Sequence, residues 1–346
     1  MNNKTHFALP MRVALAHGSK AEKGFRHRAT IPEPEALAPG VPPTPEHDLI
    51  FHGGKLLPDL EYVNFFVGGA PAWQQADIQA IDQGLEKAMT DQNLNNVMSQ
   101  YFRGGRITTV FKGSRTLGAP RPAVVSQGDV EGLVRRLFRN GTLNGFDLSR
   151  TVFNFMLPSG TLLNTDEAPT AGALGSHVES AAQAKASPNT AIPHEEEDST
   201  QGLGGYHGSV HVGAGAVRKT IYYAIGVFSE ILPDGTTNGI VAFNQPFKNV
   251  IATFYHELNE ARTDPDVEDA IRAGNNRNAV KFLGWTSSQG EECGDFPVFE
   301  ANPLSVVFKE VPLTSERGTV PVQFQYSNAV NGPEGPIATP DRPLLS

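Results

Sequence analysis

The sequence has one cysteine in 346 residues, Cys293, so no intrachain disulfide can brace it and a disulfide scaffold is excluded. It has no stretch of about 18 apolar residues, which excludes a helix that spans a bilayer. Basic residues occur early, at Lys4, Arg12, Lys20 and Lys23, but the apolar core of a secretory signal does not follow them. The run Met11 to Ala16 is too short to be one. Positive charge is scarce overall: 28 Lys and Arg face 37 Asp and Glu, giving a net charge of −9 and a pI near 5.6. That balance argues against nucleic acid held through a general electrostatic footprint. Several catalytic signatures are missing as well. Gly205-Tyr-His-Gly-Ser209 is not a G-x-S-x-G nucleophile elbow, Gly213-Ala-Gly215 lacks the third glycine of a dinucleotide fingerprint, and there is no Walker A sequence.

Backbone punctuation, in contrast, is abundant. Gly 35 and Pro 26 make 61 of 346 positions, about 18%, against a usual share of roughly 12%. The glycines have no three-residue period, so collagen is excluded, and 39% hydrophobic residues exclude wholesale disorder. Residues 1–47 are rich in Pro, Glu and Ala from Ile31 to His47 and have no apolar period, which reads as a loosely ordered arm or pro-segment. Ordered structure is expected from Leu49, in a domain over residues 48–330, with a Pro/Gly-rich tail at 331–346. Residues 161–204 form a long polar insertion.

Within that domain, Leu60–Val67 has strand composition, and Trp73, Ile78, Ile81, Leu85 and Met89 form one apolar helical stripe. Asp91 is placed to cap a second helix and Asp129 a third. Strands are expected at Arg106–Phe111, Thr151–Leu157, Thr220–Phe228, Leu304–Val311 and Val320–Tyr326. The clearest helix runs from about Gln245 to Arg262, with Phe247, Val250, Ile251, Phe254, Leu258 and Ala261 in one narrow arc. Strands and helices mix without strict alternation, so α+β or a three-layer α/β sandwich fits better than a barrel.

That helix carries Phe254-Tyr-His-Glu-Leu-Asn-Glu260. His256 and Glu260 are four apart and project from one face, where an imidazole and a carboxylate can bind one Zn²⁺ at about 2.0–2.2 Å. Glu257 lies beside them, placed to take a proton from metal-bound water. This is the logic of HExxH with the second His replaced by Glu. The helical wheel also admits a plainer reading. His256 and Glu260 point away from the apolar arc, together with Asn249 and Thr263, so the same letters describe a solvated face with an i,i+4 hydrogen bond.

Downstream stand Thr263-Asp-Pro-Asp266, Gly284-Trp285 and Gly290-Glu-Glu-Cys-Gly-Asp295. In these the sequence resembles the plant exordium (phosphate-induced) proteins and their bacterial and fungal relatives, which are treated as zincin-like metallopeptidases. The family pattern runs HELxEAxTDP, GW, GEIGD. Here it reads His256-Glu-Leu-Asn-Glu-Ala-Arg-Thr-Asp-Pro265, then Gly284-Trp285, then the acidic loop with one extra Glu and a cysteine in place of the apolar residue. Upstream, His52-Gly-Gly54, Leu56-Leu-Pro58, Ser99-Gln-Tyr101, Leu157-Pro-Ser-Gly160 and Gly205-Tyr-His-Gly-Ser209 are similar to further family segments. Tyr326-Ser-Asn328 is similar to a late WSN with the Trp changed.

The resemblance implies a zincin-like domain with a mixed sheet and an active-site helix. His256 and Glu260 would be metal ligands, Glu257 the general base, and a peptide or protein the substrate. For the third ligand, Glu292 or Asp295 of the acidic loop is favoured over Asp266, because clustered carboxylates beside glycines suit a turn around a cation. Glu291 and Glu292 read equally well as an exposed acidic turn. His207 can polarise a scissile carbonyl or steady an oxyanion, or it can hydrogen-bond a turn, the reading preferred for His211. His52 reads as structural and Cys293 as a small buried thiol. Glu195 to Asp198, and Asp264, Asp266, Glu268 and Asp269, offer oxygen ligands to a structural Ca²⁺, without EF-hand spacing. The family is typically exported, while no signal is visible here. The plant members also suggest an alternative: a non-catalytic surface or wall-binding module that retains the fold.

Overall fold

The structure is a computed structural model that describes residues 13–16, 19, 43–118, 120–167, 198–274 and 278–346. Most of the polar insertion, including Glu195 to Glu197, and the Pro-rich stretch 31–42 lie outside the described residues.

A mixed six-stranded sheet organises the chain. Its strands are β1 (Val13–Leu15), β2 (Asp59–Phe66), β3 (Thr108–Thr116), β4 (Thr151–Met156), β5 (Leu203–Val212) and β6 (Lys219–Gly226), in spatial order β1-β5-β6-β4-β2-β3. β3, β2, β4 and β6 run parallel, while β5 is antiparallel to both β6 and β1. The helices are α1 (Gln75–Thr90), α2 (Gln92–Met98), α3 (Gln127–Arg139), α4 (Pro246–Thr263), α5 (Val267–Ala273) and α6 (Asp295–Glu300).

Strand periodicity sorts the core into two layers. Val63, Phe65, Phe153, Phe155, Tyr223 and Ile225 pack against Val130, Leu133, Val134 and Leu137 of α3. The alternate residues Leu60, Tyr62, Phe66, Val152, Met156 and Ala224 pack against α1 and α4. Central strands buried on both faces read as nearly continuous apolar runs, as β2 and β4 do. Helices on both faces make this the three-layer arrangement, with one antiparallel strand inserted near the edge.

Local sequence explains most boundaries. Asp91 caps α2 by accepting from the amides of Asn93 and Leu94, as expected. The cap of α3 is Ser126, with Asp129 three residues in; the two form a capping box, which corrects the placement of Asp129 as the cap. α4 opens with Pro246, whose missing N–H costs nothing in the first turn, and stops before Pro265. Two glycines let α4 lie close on the sheet. A Cβ at Gly226 would sit 3.1 Å from the Phe254 ring, and one at Gly205 would sit 3.2 Å from Glu257 Oε1.

Three further expectations are corrected. Residues 304–306 are a 3-10 turn, and the strand there is Phe308–Pro312, paired with Thr319–Gln323. His207 and His211 lie within β5, a strand absent from those expected. Ordered structure also begins before Leu49: Ala14 and Leu15 of β1 are buried against β5, and Asn164 bridges to Asp198 at the base of the insertion. At the other end, residues 337–344 run along α2 and the turn after it, with the Ile337 amide on the Asn93 carbonyl and that of Leu344 on Gln100.

Candidate metal centre

α4 is buried on all sides: every residue from Asn249 to Thr263 is inaccessible. The solvated-face reading of His256 and Glu260 is therefore wrong. Their side of the helix is covered by the loop 287–294, by α6 and by the strand Thr319–Gln323. The acidic loop is likewise buried, so Glu291 and Glu292 are not an exposed turn.

Five elements bring the site together. α4 supplies His256, Glu257 and Glu260; β5 supplies His207; the loop supplies Glu292; the first residue of α6 is Asp295; the strand Thr319–Gln323 supplies Gln323. The β5–β6 register sets His207 opposite Ala224, on the α4 face of the sheet. His207, His256, Glu257, Glu260, Glu292 and Asp295 are each 1% exposed or less.

His256 Nε2 lies 3.1 Å from Glu260 Oε2, and His256, Glu260 and Asp295 form one group of converging ligand atoms. His207 Nδ1 lies 3.4 Å from Glu257 Oε2 and 3.7 Å from Glu260 Oε2, and these three form a second. His207 Nε2 lies 3.7 Å from Glu292 Oε1.

The tautomer of His256 follows from its neighbour. Gln323 Nε2 donates to the carbonyls of Gly294 (2.7 Å) and Phe324 (3.0 Å), which leaves Gln323 Oε1 as the acceptor for His256 Nδ1–H. Nε2 then carries the lone pair and faces Glu260. A ligand histidine held through its other nitrogen is the usual arrangement around metals. The glycine of the acidic loop has a defined role too. The Gly294 amide donates to Glu260 Oε1 at 3.0 Å, and a Cβ at this position would lie 2.3 Å from His256 Nδ1. Asp295 Oδ2 accepts from the Glu292 amide at 2.9 Å, which closes the turn and leaves Oδ1 for the site.

Among the described residues, no protein cation balances the charges of Glu260, Glu292 and Asp295. Arg262, the buried cation of α4, is directed to Thr108 and Thr109 of β3. Among the described residues no Lys or Arg pairs with Glu260, Glu292 or Asp295. Glu260 Oε2, Asp295 Oδ1, His256 Nε2 and both oxygens of Glu292 are buried without a hydrogen-bond partner among the described residues. Burial, then the neighbouring Glu260 and Asp264, pushes the Glu292 carboxyl well above its usual range. Burial and Glu260 do the same to Asp295. For His256 burial acts to lower the pKa, but Glu260, Asp295 and Gln323 outweigh it and raise it. Buried polar atoms left in this state are costly unless a cation satisfies them.

Not every expected residue joins. Asp266 is occupied with Tyr222 and Lys55 and belongs to neither group of ligand atoms. Asp264 is buried near the cage but its Oδ1 accepts from the Gly284 amide. His211 bonds Thr220 and Asp269, His52 bonds Thr286, and Cys293 is a buried thiol between Thr263 and Gln325. Glu268 sits with Gln127 and Arg272, so the run Asp264 to Asp269 assembles no Ca²⁺ cage among the described residues, while of the other run only Asp198, which caps a short turn, is described. Gly284 is needed for packing: a Cβ there would lie 2.0 Å from the Thr263 carbonyl oxygen. Gln323 was not legible in the sequence, because a glutamine in a short strand carries no motif.

No helix among the described residues is long and apolar enough to cross a membrane. Comparison with protein-family models, with curated proteins and with solved structures finds no match for the chain.

Proposed function

We propose that the protein is a zinc-dependent hydrolase of zincin-like type, acting on peptide bonds. One observation carries this reading: a fully buried cage of two histidines and four carboxylates, with ligand atoms facing one another and, among the described residues, no Lys or Arg on Glu260, Glu292 or Asp295. The donor set fits the metal. His256 Nε2, Glu260 and Asp295 offer one nitrogen and two oxygens, both ligand types that zinc accepts, in the three-ligand count of catalytic zinc sites, and their unsatisfied atoms point inward. Glu292 stands beside them as a further carboxylate.

Bound zinc supplies a Lewis acid and lowers the pKa of water near it. The chain's own groups do the rest. Glu257 follows His256 on α4, and its carboxylate accepts the proton of the attacking water. His207 Nδ1 lies 3.4 Å from that carboxylate. Gln323 holds His256 in the ligating tautomer, and the Gly294 amide fixes Glu260. The peptide substrate and the exordium relationship are supported by the motif resemblance alone.

A second reading, a non-catalytic module with a structural metal, is favoured by the same burial, since groups exposed by 1% or less do not meet a substrate without some opening. Elemental analysis combined with a peptide-hydrolysis panel separates the two. In the hydrolase, Glu257→Gln keeps zinc and loses cleavage, while His256→Ala loses both. Zinc-loaded wild type that cleaves nothing supports the module, and wild type that binds no zinc removes both readings.

A further inference from the structure

We propose that a cleft at the end of the sheet, outside the metal centre, binds a small organic carboxylate with a planar apolar body, its charge on Lys55 and Lys219 and its body against Phe138 and Phe146. The cleft has a volume of about 500 Å³, inside the range of small-molecule sites. It lies where β4 and β6 begin, between the segment 143–149 and the first residues of β6. No residue of the metal centre lines it.

Its apolar wall belongs to the core. Leu143 is buried beside α3, and Phe138, Phe146 and Leu148 are half-buried against the same cluster while lining the cleft. Phe153 meets the Phe146 ring edge-on at 5.6 Å, and the Arg115 guanidinium lies 5.3 Å from its centroid, so that ring is held in place. Phenyl faces fixed in this way favour a planar apolar guest, through offset stacking and the removal of its surface from water.

The polar side is equally set. Lys55 Nζ donates to the Ser149 carbonyl at 2.7 Å and to the Tyr222 hydroxyl at 2.8 Å, and lies 4.4 Å from the Tyr222 ring centroid. Two of its three N–H groups are therefore used, and the third has no partner among the described residues. Burial pulls the pKa of this ammonium down, and an anion on the remaining N–H opposes that pull. Lys219 Nζ lies over the Phe138 ring, 5.8 Å from its centroid, and has no carboxylate partner among the described residues.

The neighbouring acids are already engaged. Asp147 lines the cleft, but its Oδ1 accepts from the Ser149 amide and hydroxyl and its Oδ2 pairs with Arg150. Asp266 bonds the Tyr222 hydroxyl and acts on Lys55 from beyond ion-pair range, and Asp269 pairs with His211. Lys55, Lys219, Arg115 and Arg150 against Asp147, Asp266 and Asp269 leave one positive charge here, in a chain of net charge −9. One carboxylate neutralises it. Two ammonium groups match its two oxygens, and none of the lining residues is an arginine, whose fork would suit a phosphate.

The test is calorimetric titration of the full zinc-loaded chain with 1-naphthoate, with its uncharged analogue 1-naphthalenemethanol, and with inorganic phosphate. One-to-one binding of naphthoate is expected, with the alcohol and phosphate each weaker by about tenfold or more. Lys219→Met, a change at an exposed side chain, should weaken naphthoate by a similar factor. A carboxylate also binds zinc, so the titration is repeated on chelator-stripped protein, where the same affinity is expected. Loss of binding on stripping places the anion on the metal and overturns the cleft. Naphthoate that does not saturate by about 1 mM, an unchanged affinity in Lys219→Met, or phosphate or the alcohol binding as tightly as naphthoate overturns it as well. None of these results bears on the zinc reading, because the two sites share no residue.

Discussion

Gly294→Ala is a sharp perturbation of the metal centre because it adds one methyl group at a known place. Gly294 has φ −94° and ψ −22°, a helical conformation that alanine adopts freely, so the backbone does not resist the change. The new Cβ would lie 2.3 Å from His256 Nδ1, 2.6 Å from Cε1 and 2.8 Å from Cγ. Carbon–carbon contacts settle near 3.5–4.0 Å, so the imidazole must retreat by about 1 Å. That is twice the roughly 0.5 Å tolerance of a preorganised site. Overpacking of this kind costs about 1–3 kcal/mol in stability, and a misplaced ligand about 10–100-fold in metal affinity. Zinc competition against a chromophoric chelator, alongside thermal denaturation, measures both. Gly132→Ala in α3 is the control: its Cβ meets only the far end of Arg136, and it should gain about 0.5–1 kcal/mol without touching zinc. Gly294→Ala that binds zinc as tightly as wild type would show that His256 is not a ligand.

Three other outcomes are expected. Gln323→Leu removes the acceptor for His256 Nδ1 and should lower zinc affinity about 10–100-fold while the helix content stays unchanged, measured by the same competition and by circular dichroism. Burial first, then neighbouring carboxylates, raises the folded-state pKa of Asp264, Glu292 and Asp295 above the unfolded values near 4. Stability from their protonated forms is present below about pH 4 and lost as pH rises through the folded values. Zinc-free protein should therefore melt at a lower temperature at pH 8 than at pH 5, with zinc restoring the loss; calorimetry showing no difference contradicts the buried-charge account. Deleting residues 1–16 removes β1, whose Ala14 packs with Ala252 of α4 and Val298 of α6. Loss of that strand should cost about 1–3 kcal/mol and speed zinc removal by chelator, read by stopped flow.

The local parts of the fold were legible and the non-local parts were not. The apolar arc Phe247, Val250, Ile251, Phe254, Leu258 and Ala261 announces α4, and the i,i+4 spacing of His256 and Glu260 needs no tertiary knowledge. What the arc hides is the other face. Asn249, His256, Glu260 and Thr263 look solvated on a wheel; His256 and Glu260 are buried because Gln323 of the hairpin and Gly294 of the acidic loop close over them from 67 and 34 residues away, and Asn249 because Ser229, Ala242 and Phe243 surround it. Glycine letters in the motifs proved to be contact requirements: Gly294 against His256, Gly284 against Thr263, Gly205 against Glu257. β1 escaped notice because three residues are too few to show a period, and its partner β5 lies almost 190 residues on. Gln323 escaped because its role exists only once His256 Nδ1 stands beside it.

The central claim is tested most directly by an anomalous-scattering map at the zinc edge on the metal-loaded crystalline protein. The account requires a peak about 2.0–2.2 Å from His256 Nε2, from a Glu260 oxygen and from Asp295 Oδ1. A well-ordered cage with no peak, or a peak held elsewhere on the chain, would contradict it.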